Sequence, residues 1–249
     1  MSYNPFSLEG NTVLVTGASS GIGRSTAIEC SKLGAQVFIT GRNKDRLTQT
    51  LNELEGEGHR MIICNLDDES EINQMIEIVP EIQGLVNNAG IGMTKPLQFI
   101  GVNDLDAILK TNTIAPISLL QKLLKKKKLR KGASVVFTSS MAGLGNSAIG
   151  NSLYTASKGA ISAFVRCAAL ELAQKSIRVN AVCPAMVRTA LINSGSITQE
   201  QLDEDVKNYP LGRYGNPNDI AWAIIYLLSD ASSWITGDNL IIDGGLTLK

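Results

Sequence analysis

Two side chains that can exchange a proton, Tyr154 and Lys158, stand four residues apart. On a helix, that spacing places both on one face with their tips side by side. A free phenol has a pKa of about 10 and is a poor acid or base at neutral pH, whereas an adjacent ammonium favours the phenolate and lowers that pKa. The pair therefore predicts general acid/base chemistry, although the same spacing alone is also typical of a solvated helical pair.

The residues before this pair predict the element that positions it. A β-branched run that ends at Thr138 is typical of a buried strand, and the chain then enters a loop and the helix that carries Tyr154. Ser140 lies at the end of the predicted strand, where its hydroxyl can hold a substrate carbonyl beside the phenol. The stretch from Ser139 to Lys158 is therefore the predicted reaction site.

A glycine-rich turn near the start of the sequence predicts a phosphate site. The short strand 12–16 leads directly into GASSGIG at 17–23, and a helix is predicted from about Arg24 to Leu33. Backbone N–H groups and the positive N-terminus of such a helix suit a dinucleotide pyrophosphate, although a glycine turn by itself is often only a turn. The predicted contacts are Gly17, Ser19, Ser20, Gly21, Ile22 and Gly23.

The end of the second predicted strand, 36–40, indicates which dinucleotide binds. NAD-binding versions of this unit place a carboxylate there for the ribose 2′-hydroxyl. This chain has Gly41 and Arg42 instead, so nothing repels a 2′-phosphate and the guanidinium can bind it, with Ser19 as a second contact. These residues favour NADP over NAD, and the alternative is a surface arginine that opens a helix at 45–54.

Two further strand ends predict walls of the cofactor site. The strand 61–64 ends where the adenine edge of a dinucleotide would lie, and the strand 85–87 is followed by small residues. Small residues let the backbone approach a flat ligand closely. The predicted contacts are Asn65, Leu66, Asn88, Ala89 and Gly90.

Asn112 stands in the middle of a long predicted helix, 102–125, and Pro116 follows it by one hydrogen-bond register. Proline has no N–H, so the carbonyl of Asn112 loses its normal donor and needs another partner. A water there would link Lys158 to bulk solvent and resupply protons. The alternative is a proline kink in a packed helix, and the sequence does not choose between the two.

The last third of the chain predicts the remaining wall of the site. A strand at 177–182 is followed by a loop with Pro184, Val187 and Thr189, and open α/β sheets bind ligands at the carboxyl ends of their strands. The polar segment 191–210 is predicted to be a mobile substrate lid. Strand and helix signals continue to alternate up to a strand at 239–242, which favours one domain.

Length and composition exclude several classes of protein. The 249 residues are 44% hydrophobic and 18% charged, and 23 basic residues balance 23 acidic ones, so no nucleic-acid partner is expected. The lysines at 125–128 are interpreted as a solvated helix end. One histidine and four widely spaced cysteines predict no metal site, and no apolar run reaches the ~18 residues of a membrane span. We expect reduced thiols and a cytoplasmic location.

Together these motifs resemble those of the classical short-chain dehydrogenase/reductase family over nearly all of the chain. The matching sequences are TGASSGIG at 16–23, NNAG at 87–90, Asn112, TSS at 138–140, YTASK at 154–158, RVNAVCP at 178–184, ITG at 235–237 and DGG at 243–245. The resemblance implies a single Rossmann-type α/β domain, residues 1–249, with a doubly wound parallel sheet of about seven strands and helices on both faces.

The resemblance also implies roles for individual residues. Tyr154 is the general acid/base, Ser140 orients the substrate carbonyl, and Lys158 holds the nicotinamide ribose and lowers the pKa of the tyrosine. Asn112 anchors the relay water, and Thr189 holds the carboxamide of the cofactor. These are the parts of an NADP(H)-dependent oxidoreductase that acts on CH–OH and C=O groups.

Substrate identity is less strongly indicated. The stretches PLGRYGNPNDIA at 210–221 and LLSDASSWITGDNLIIDGG at 227–245 resemble 3-oxoacyl-[acyl-carrier-protein] reductases, but they also occur in sugar, polyol and steroid reductases. Acyl-carrier-protein reductases tend to have an arginine just before Glu171 to dock the carrier, whereas this chain has Leu170, with the lysines at 125–128 as an alternative docking site. We expect a 3-oxoacyl-thioester reductase of fatty acid biosynthesis. The alternatives are a small-carbonyl reductase and, with less support, a non-catalytic dinucleotide-binding regulator.

Departures from the family pattern bear on the site. The loop before the predicted catalytic tyrosine is one residue longer than usual, Asn65 replaces an aspartate, and Ala185 replaces a glycine. The amide oxygen of Asn65 can still accept a hydrogen bond from the adenine amino group. Family members form dimers and tetramers, and the small residues after Lys158 with the apolar run 240–248 predict a homotetramer.

Overall fold

The computed structural model of the protein describes residues 3–189 and 198–248. Its strands are β1 Thr12–Thr16, β2 Gln36–Gly41, β3 Arg60–Ile63, β4 Ile82–Asn87, β5 Leu129–Thr138, β6 Arg178–Pro184 and β7 Asn239–Ile242. They form one parallel seven-stranded sheet in the order β3-β2-β1-β4-β5-β6-β7. The predicted Rossmann-type sheet is confirmed.

Helices connect the strands and cover both faces of the sheet. They are α1 Gly21–Lys32, α2 Lys44–Asn52, α3 Glu69–Ile78, α4 Val102–Leu109, α5 Ala115–Lys125, α6 Ser152–Leu172, α7 Gln199–Asp205 and α8 Pro217–Leu228. A π-helical turn, Lys110–Ile114, joins α4 to α5.

The central strands bury side chains on both faces, which is why these segments are almost continuously apolar. Leu14 and Leu85 face a core built with α3, α5 and α6. Val13 and Val86 face a second core against α1 and α8. Since successive strand residues point to opposite faces, both cores depend on one register between β1 and β4.

Local signals explain where some helices begin and end. Asp68 accepts hydrogen bonds from the N–H groups of Ser70 at 2.8 Å and Glu71 at 3.2 Å, and so caps α3. Gly34 follows α1 with a φ of 88°, in the left-handed region that favours glycine. The position of Gly34 matches the predicted end of α1 near Leu33.

Three of the differences between the structure and the predicted boundaries bear on the site. α1 begins at Gly21 rather than near Arg24, because the glycine turn leads straight into the helix. The predicted helix 102–125 is divided by the π-helical turn. Of the predicted lid 191–210, residues 191–197 lie outside the described residues, and α7 with a short 3-10 turn, Val206–Asn208, occupies much of the rest.

The lysines at 125–128 lie beside acidic side chains that belong to α3 or to the residues that follow it. Lys126 pairs with Glu77 at 2.8 Å, and Arg130 pairs with Glu81 at 3.3 Å. Exposed pairs of this kind contribute little to stability, but the carboxylates reduce the positive potential of the cluster. This arrangement favours the interpretation as a solvated helix end.

Burial makes three of the four cysteine thiols poor nucleophiles in this fold. Cys30, Cys64 and Cys183 are buried, and burial raises the pKa of Cys30 to about 12 and that of Cys64 to about 11.

Within residues 3–189 and 198–248 no helix has both the length and the hydropathy that crossing a membrane requires.

Candidate active site

The carboxyl ends of β1, β4 and β5 are adjacent in the sheet, and Asn88 joins the loops that follow them. Its Nδ2 donates to the carbonyl oxygens of Thr16 at 3.1 Å and Gly17 at 3.4 Å, and its Oδ1 accepts from the Thr138 hydroxyl at 3.3 Å. The Thr16 hydroxyl oxygen accepts from the N–H groups of Asn88 at 2.9 Å and Ala89 at 3.1 Å. Strand order reverses between β1 and β4, where open α/β sheets bind ligands.

The glycine turn is packed too tightly for larger side chains. A Cβ at Gly17 would lie 2.8 Å from the Cα of Ala89, and one at Gly23 would lie 2.4 Å from the carbonyl oxygen of Gly17. Among the described residues, Ser20 at the N-cap of α1 makes no capping hydrogen bond with its side chain, and the first turn has no acidic residue. The N–H groups of that turn are therefore available to an anion.

Arg42 is exposed just after β2, beside the glycine turn. A Cβ at Gly41 would lie 3.6 Å from the Ser19 hydroxyl oxygen, so the turn and the end of β2 are in contact. The structure thus brings together Ser19 and the end of β2, the two parts of the predicted 2′-phosphate site.

Asn65 and Leu66 follow β3 and differ in how they are held. The Asn65 Oδ1 accepts from the N–H of Asp67 at 3.2 Å, and the Asn65 N–H donates to the Glu71 carboxylate at 2.7 Å. The side chain of Leu66 packs against the core of α3, α5 and α6. An amide oxygen has two lone pairs, so Asn65 can still accept a hydrogen bond from an adenine amino group.

The loop after β6 returns to the glycine turn. The Thr189 methyl group lies 3.1 Å from the position of a Cβ on Gly21. Val187 forms a β-bridge with Gly215, and Pro184 is the last residue of β6. The first of these contacts places Thr189 at the start of α1, whereas Pro184, predicted in the loop, belongs to the strand.

Lys158 is only 5% exposed. Its Nζ donates to the carbonyl oxygen of Thr138 at 2.7 Å and lies 5.9 Å from the centre of the Tyr154 ring. A Cβ on Gly90 would lie 3.4 Å from this Nζ, so the small residue keeps the approach open. Burial lowers the pKa of Lys158 to about 8.

The Tyr154 phenol is a weaker acid here than in water. Burial raises its pKa, and a hydrogen bond from the Ser140 hydroxyl offsets only part of that effect. The net direction is the opposite of the lowered pKa expected for Tyr154, because desolvation of the phenolate dominates in this structure and the ammonium donates to Thr138. The phenol keeps its proton at neutral pH, so a proton is present for transfer to a substrate oxygen.

Asn112 is buried within the π-helical turn. Its Oδ1 accepts from the N–H of Ile91 at 2.8 Å, and its Nδ2 donates to the carbonyl oxygen of Ile91 at 2.9 Å and to the Ser157 hydroxyl oxygen at 3.1 Å. Pro116 follows directly in α5, so the π-helical turn is the local response to the missing N–H.

Three residues outside the predicted set hold it together: Ser157, Ile91 and Thr16. Ser157 is buried between Asn112 and Tyr154, and its hydroxyl donates to the carbonyl oxygen of Tyr154 at 2.8 Å. Ile91 acts through its backbone, which no side-chain pattern reveals. The position of Thr16 could have indicated its role, because a hydroxyl side chain at the end of a strand can form hydrogen bonds with backbone groups of a nearby loop.

Comparison with known proteins agrees with this geometry. A family model described as enoyl-(acyl carrier protein) reductase matches residues 17–247. A tropinone reductase homologue of Arabidopsis thaliana is 35% identical over 252 residues, which cover 98% of this chain and 92% of the relative. A 3-oxoacyl-[acyl-carrier-protein] reductase of Thermotoga maritima is 34% identical over 248 residues, which cover 97% and 99%.

Solved structures show the same relationship. A gluconate 5-dehydrogenase candidate of Beutenbergia cavernae, solved with NADP bound at low occupancy, has a TM-score of 0.90 at 30% identity and covers 99% of this chain and 100% of its own. A dehydrogenase/reductase of Sinorhizobium meliloti has a TM-score of 0.89 at 30% identity and covers 97% of both chains. The chain therefore belongs to the classical short-chain dehydrogenase/reductase family, and it is an oxidoreductase that acts on CH–OH and C=O groups.

Proposed function

We propose that this protein is an NADPH-dependent reductase that converts a ketone into a secondary alcohol, with residues 1–249 as one dinucleotide-binding domain. The observation that carries the proposal is the set Asn112, Ser140, Tyr154 and Lys158, which α6, the end of β5 and the π-helical turn bring together. The relative with bound NADP supports the cofactor. A non-catalytic binding role has less support, since tyrosine and lysine are both present on one helix.

The residues present fit a dinucleotide. The first turn of α1 offers N–H groups to a pyrophosphate, and Arg42 with Ser19 suits a 2′-phosphate. The Lys158 ammonium has three donors and uses one on Thr138, which leaves two for the nicotinamide ribose. The remaining proposed contacts are Gly17, Ser20, Gly21, Ile22, Gly23, Asn65, Leu66, Asn88, Ala89, Gly90, Tyr154, Pro184, Val187 and Thr189. When bound, NADPH supplies the hydride.

The side chains of the set handle the substrate oxygen and the proton. As negative charge develops on that oxygen, Tyr154 donates its phenolic proton to it and Ser140 donates a second hydrogen bond. The Lys158 ammonium then stabilises the phenolate that remains. The carbonyl of Asn112, which Pro116 deprives of its usual donor, is proposed to hold the water that returns a proton.

Two substrate classes remain within this proposal, 3-oxoacyl thioesters first and small cyclic or sugar-like ketones second. The relative from Thermotoga maritima supports the first class, and the tropinone reductase homologue supports the second. Docking of an acyl carrier protein has weaker support, because Leu170 stands 79% exposed where docking reductases have arginine, and Lys126 is paired with Glu77.

A substrate panel tests the proposal. NADPH oxidation is followed with acetoacetyl-CoA, an acetoacetyl carrier protein, a diketone, tropinone and a keto-sugar. We expect turnover of acetoacetyl-CoA at a kcat/KM similar to that of the carrier-bound form, because no docking arginine is present. Turnover of the cyclic or sugar-like ketones alone would move the assignment to the second class, and no turnover of any ketone would contradict reductase function.

Cofactor choice is expected to depend on Arg42. The unaltered enzyme should prefer NADPH over NADH by at least about tenfold in kcat/KM, since a hydrogen bond to a charged group contributes roughly 1.5–3 kcal/mol. Arg42→Asp should erase or invert that preference. Arg46→Asp, further along on α2, is the matched control and should leave it unchanged. Equal kcat/KM for both cofactors in the unaltered enzyme would refute the assignment.

We also propose a homotetramer. α6 exposes small side chains at Ala156, Ala160 and Ala163, and Leu170 and Leu248 are 79% and 86% exposed. Exposed apolar surface of this kind is suited to contact between copies. Light scattering at micromolar concentration should give four times the chain mass of 26.6 kDa, and a monomer mass would contradict the proposal.

We also propose that the protein is cytoplasmic. The cytoplasm is a reducing compartment, which suits a protein with four free cysteines, three of them buried. A role in fatty acid biosynthesis would follow from the first substrate class only.

A further inference from the structure

The π-helical turn contacts two parts of the site through three consecutive side chains, those of Thr111, Asn112 and Thr113. The Thr113 hydroxyl donates to the carbonyl oxygen of Ser157 at 3.0 Å, and Asn112 donates to the Ser157 hydroxyl oxygen. Thr111 contacts a different element, since its hydroxyl lies 3.0 Å and 2.9 Å from the two carboxylate oxygens of Asp67. One turn thus connects α6 with the loop between β3 and α3.

Asp67 is itself fixed within the loop that contains the proposed adenine contact Asn65. Its N–H donates to the Asn65 Oδ1 at 3.2 Å, and the N–H of Asp68 donates to the carbonyl oxygen of Asn65 at 2.9 Å. A hydroxyl-to-carboxylate hydrogen bond is stronger than one between neutral groups. The bond from Thr111 therefore holds the π-helical turn against a defined part of the cofactor site.

π-helical turns are rare and occur mostly where surrounding contacts and function keep them. We infer that Asp67 and Thr111 are positioning residues for the reaction, which hold the π-helical turn so that Asn112 and, through Ser157, Tyr154 stay aligned. This inference rests on the proposed function. It assigns no contact with substrate to either residue.

Thr111→Val tests the inference, because it keeps the shape of the side chain and removes the hydroxyl. We expect kcat with NADPH to fall roughly tenfold, since small misplacements far from the reacting atoms have effects of this order or larger. The Kd for NADPH, measured by fluorescence titration, should stay within about twofold of that of the unaltered enzyme. Thr111→Ser, which retains the hydroxyl, should restore kcat.

Asp67→Ala should lower kcat as much as Thr111→Val, and the double variant should lose no more than either single variant, because the two residues act as one unit. Thr48→Val is the matched control, since its half-buried hydroxyl donates to the carbonyl oxygen of Lys44 at 3.0 Å within α2. That control should leave kcat unchanged.

A kcat for Thr111→Val within about twofold of the unaltered enzyme would overturn the inference, even if its Tm were lower, because that result describes a purely structural contact. A double variant whose loss is the product of the single losses would overturn it as well. Tyr154→Phe separates the two proposals. If that variant also keeps its activity, the proposed catalytic role is what has failed.

Discussion

Tyr154→Phe is expected to lower kcat for ketone reduction by about 10²- to 10⁴-fold and to leave NADPH binding near normal. Phenylalanine keeps the ring and its packing on α6 and removes only the hydroxyl. That hydroxyl is the proposed proton donor, and its raised pKa keeps it protonated at neutral pH. Ser140→Ala should cost less, because a water can partly replace its hydrogen bond.

Single-turnover kinetics together with a fluorescence titration of NADPH separate the chemical step from binding. Tyr226→Phe is a matched control, since it removes a hydroxyl from a partly buried tyrosine on α8, away from the site, and should retain full activity. A Tyr154→Phe enzyme that kept more than about a tenth of kcat would show that the proton comes from another group.

Lys158→Met is expected to destroy activity and, when measured without added cofactor, to stabilise the protein. Among the described residues the buried ammonium makes one hydrogen bond, to Thr138, and its pKa is lowered to about 8, so folding disfavours its charged form. An apolar side chain of similar length removes that cost. At pH 7 we expect a gain of about 1–3 kcal/mol in the free energy of unfolding, together with weaker NADPH binding and slower proton transfer.

The pH dependence of this gain follows from the two pKa values. The lysine titrates near 10.5 in the unfolded chain and near 8 in the folded protein. Below pH 8 it is charged in both states and the full cost is present. Between the two values only the unfolded chain holds the proton, so the stability of the unaltered protein rises with pH until the cost is gone. Thermal melts of the two proteins should therefore converge from pH 7 to about pH 10.

Lys128→Met is the control for this experiment. Its Nζ also donates to a single carbonyl oxygen, that of Val79 at 2.6 Å, but the side chain is only partly buried. We expect no gain in stability from this change. A Lys158→Met protein that melted below the unaltered one, by an amount independent of pH, would show that the buried ammonium contributes to the fold.

The sheet could be predicted because its strands carry their own signals. β1 and β7 have the predicted bounds, since each is a short run of apolar and β-branched residues next to a glycine or polar turn. The types and spacing of Tyr154 and Lys158 predict the reaction site, and the NNAG sequence predicts that Asn88 lies beside the cofactor.

Other features depend on packing between distant segments, which local pattern does not encode. Pro116 indicates from the sequence that a backbone N–H donor is missing. The π-helical turn that forms there also depends on the contacts of Asn112 with distant segments, such as the hydrogen bond from the N–H of Ile91. The direction of the Tyr154 pKa shift depends on how much of the phenol other elements bury, whereas the spacing from Lys158 alone predicts a shift in the opposite direction. Ser157 lies between Tyr154 and Lys158 in the sequence, and nothing in that pattern distinguishes it from an ordinary helix residue.

The hydrogen bonds of Asn88 form a junction with Thr16, Gly17 and Thr138, which lie 72, 71 and 50 positions away from it along the chain. Loops of that length must close before these bonds can form, which costs chain entropy that only later contacts repay. We expect the junction to be completed once the central strands have docked, on the native side of the folding transition state. A dinucleotide that binds at this junction would then slow unfolding and leave the rate of refolding nearly unchanged.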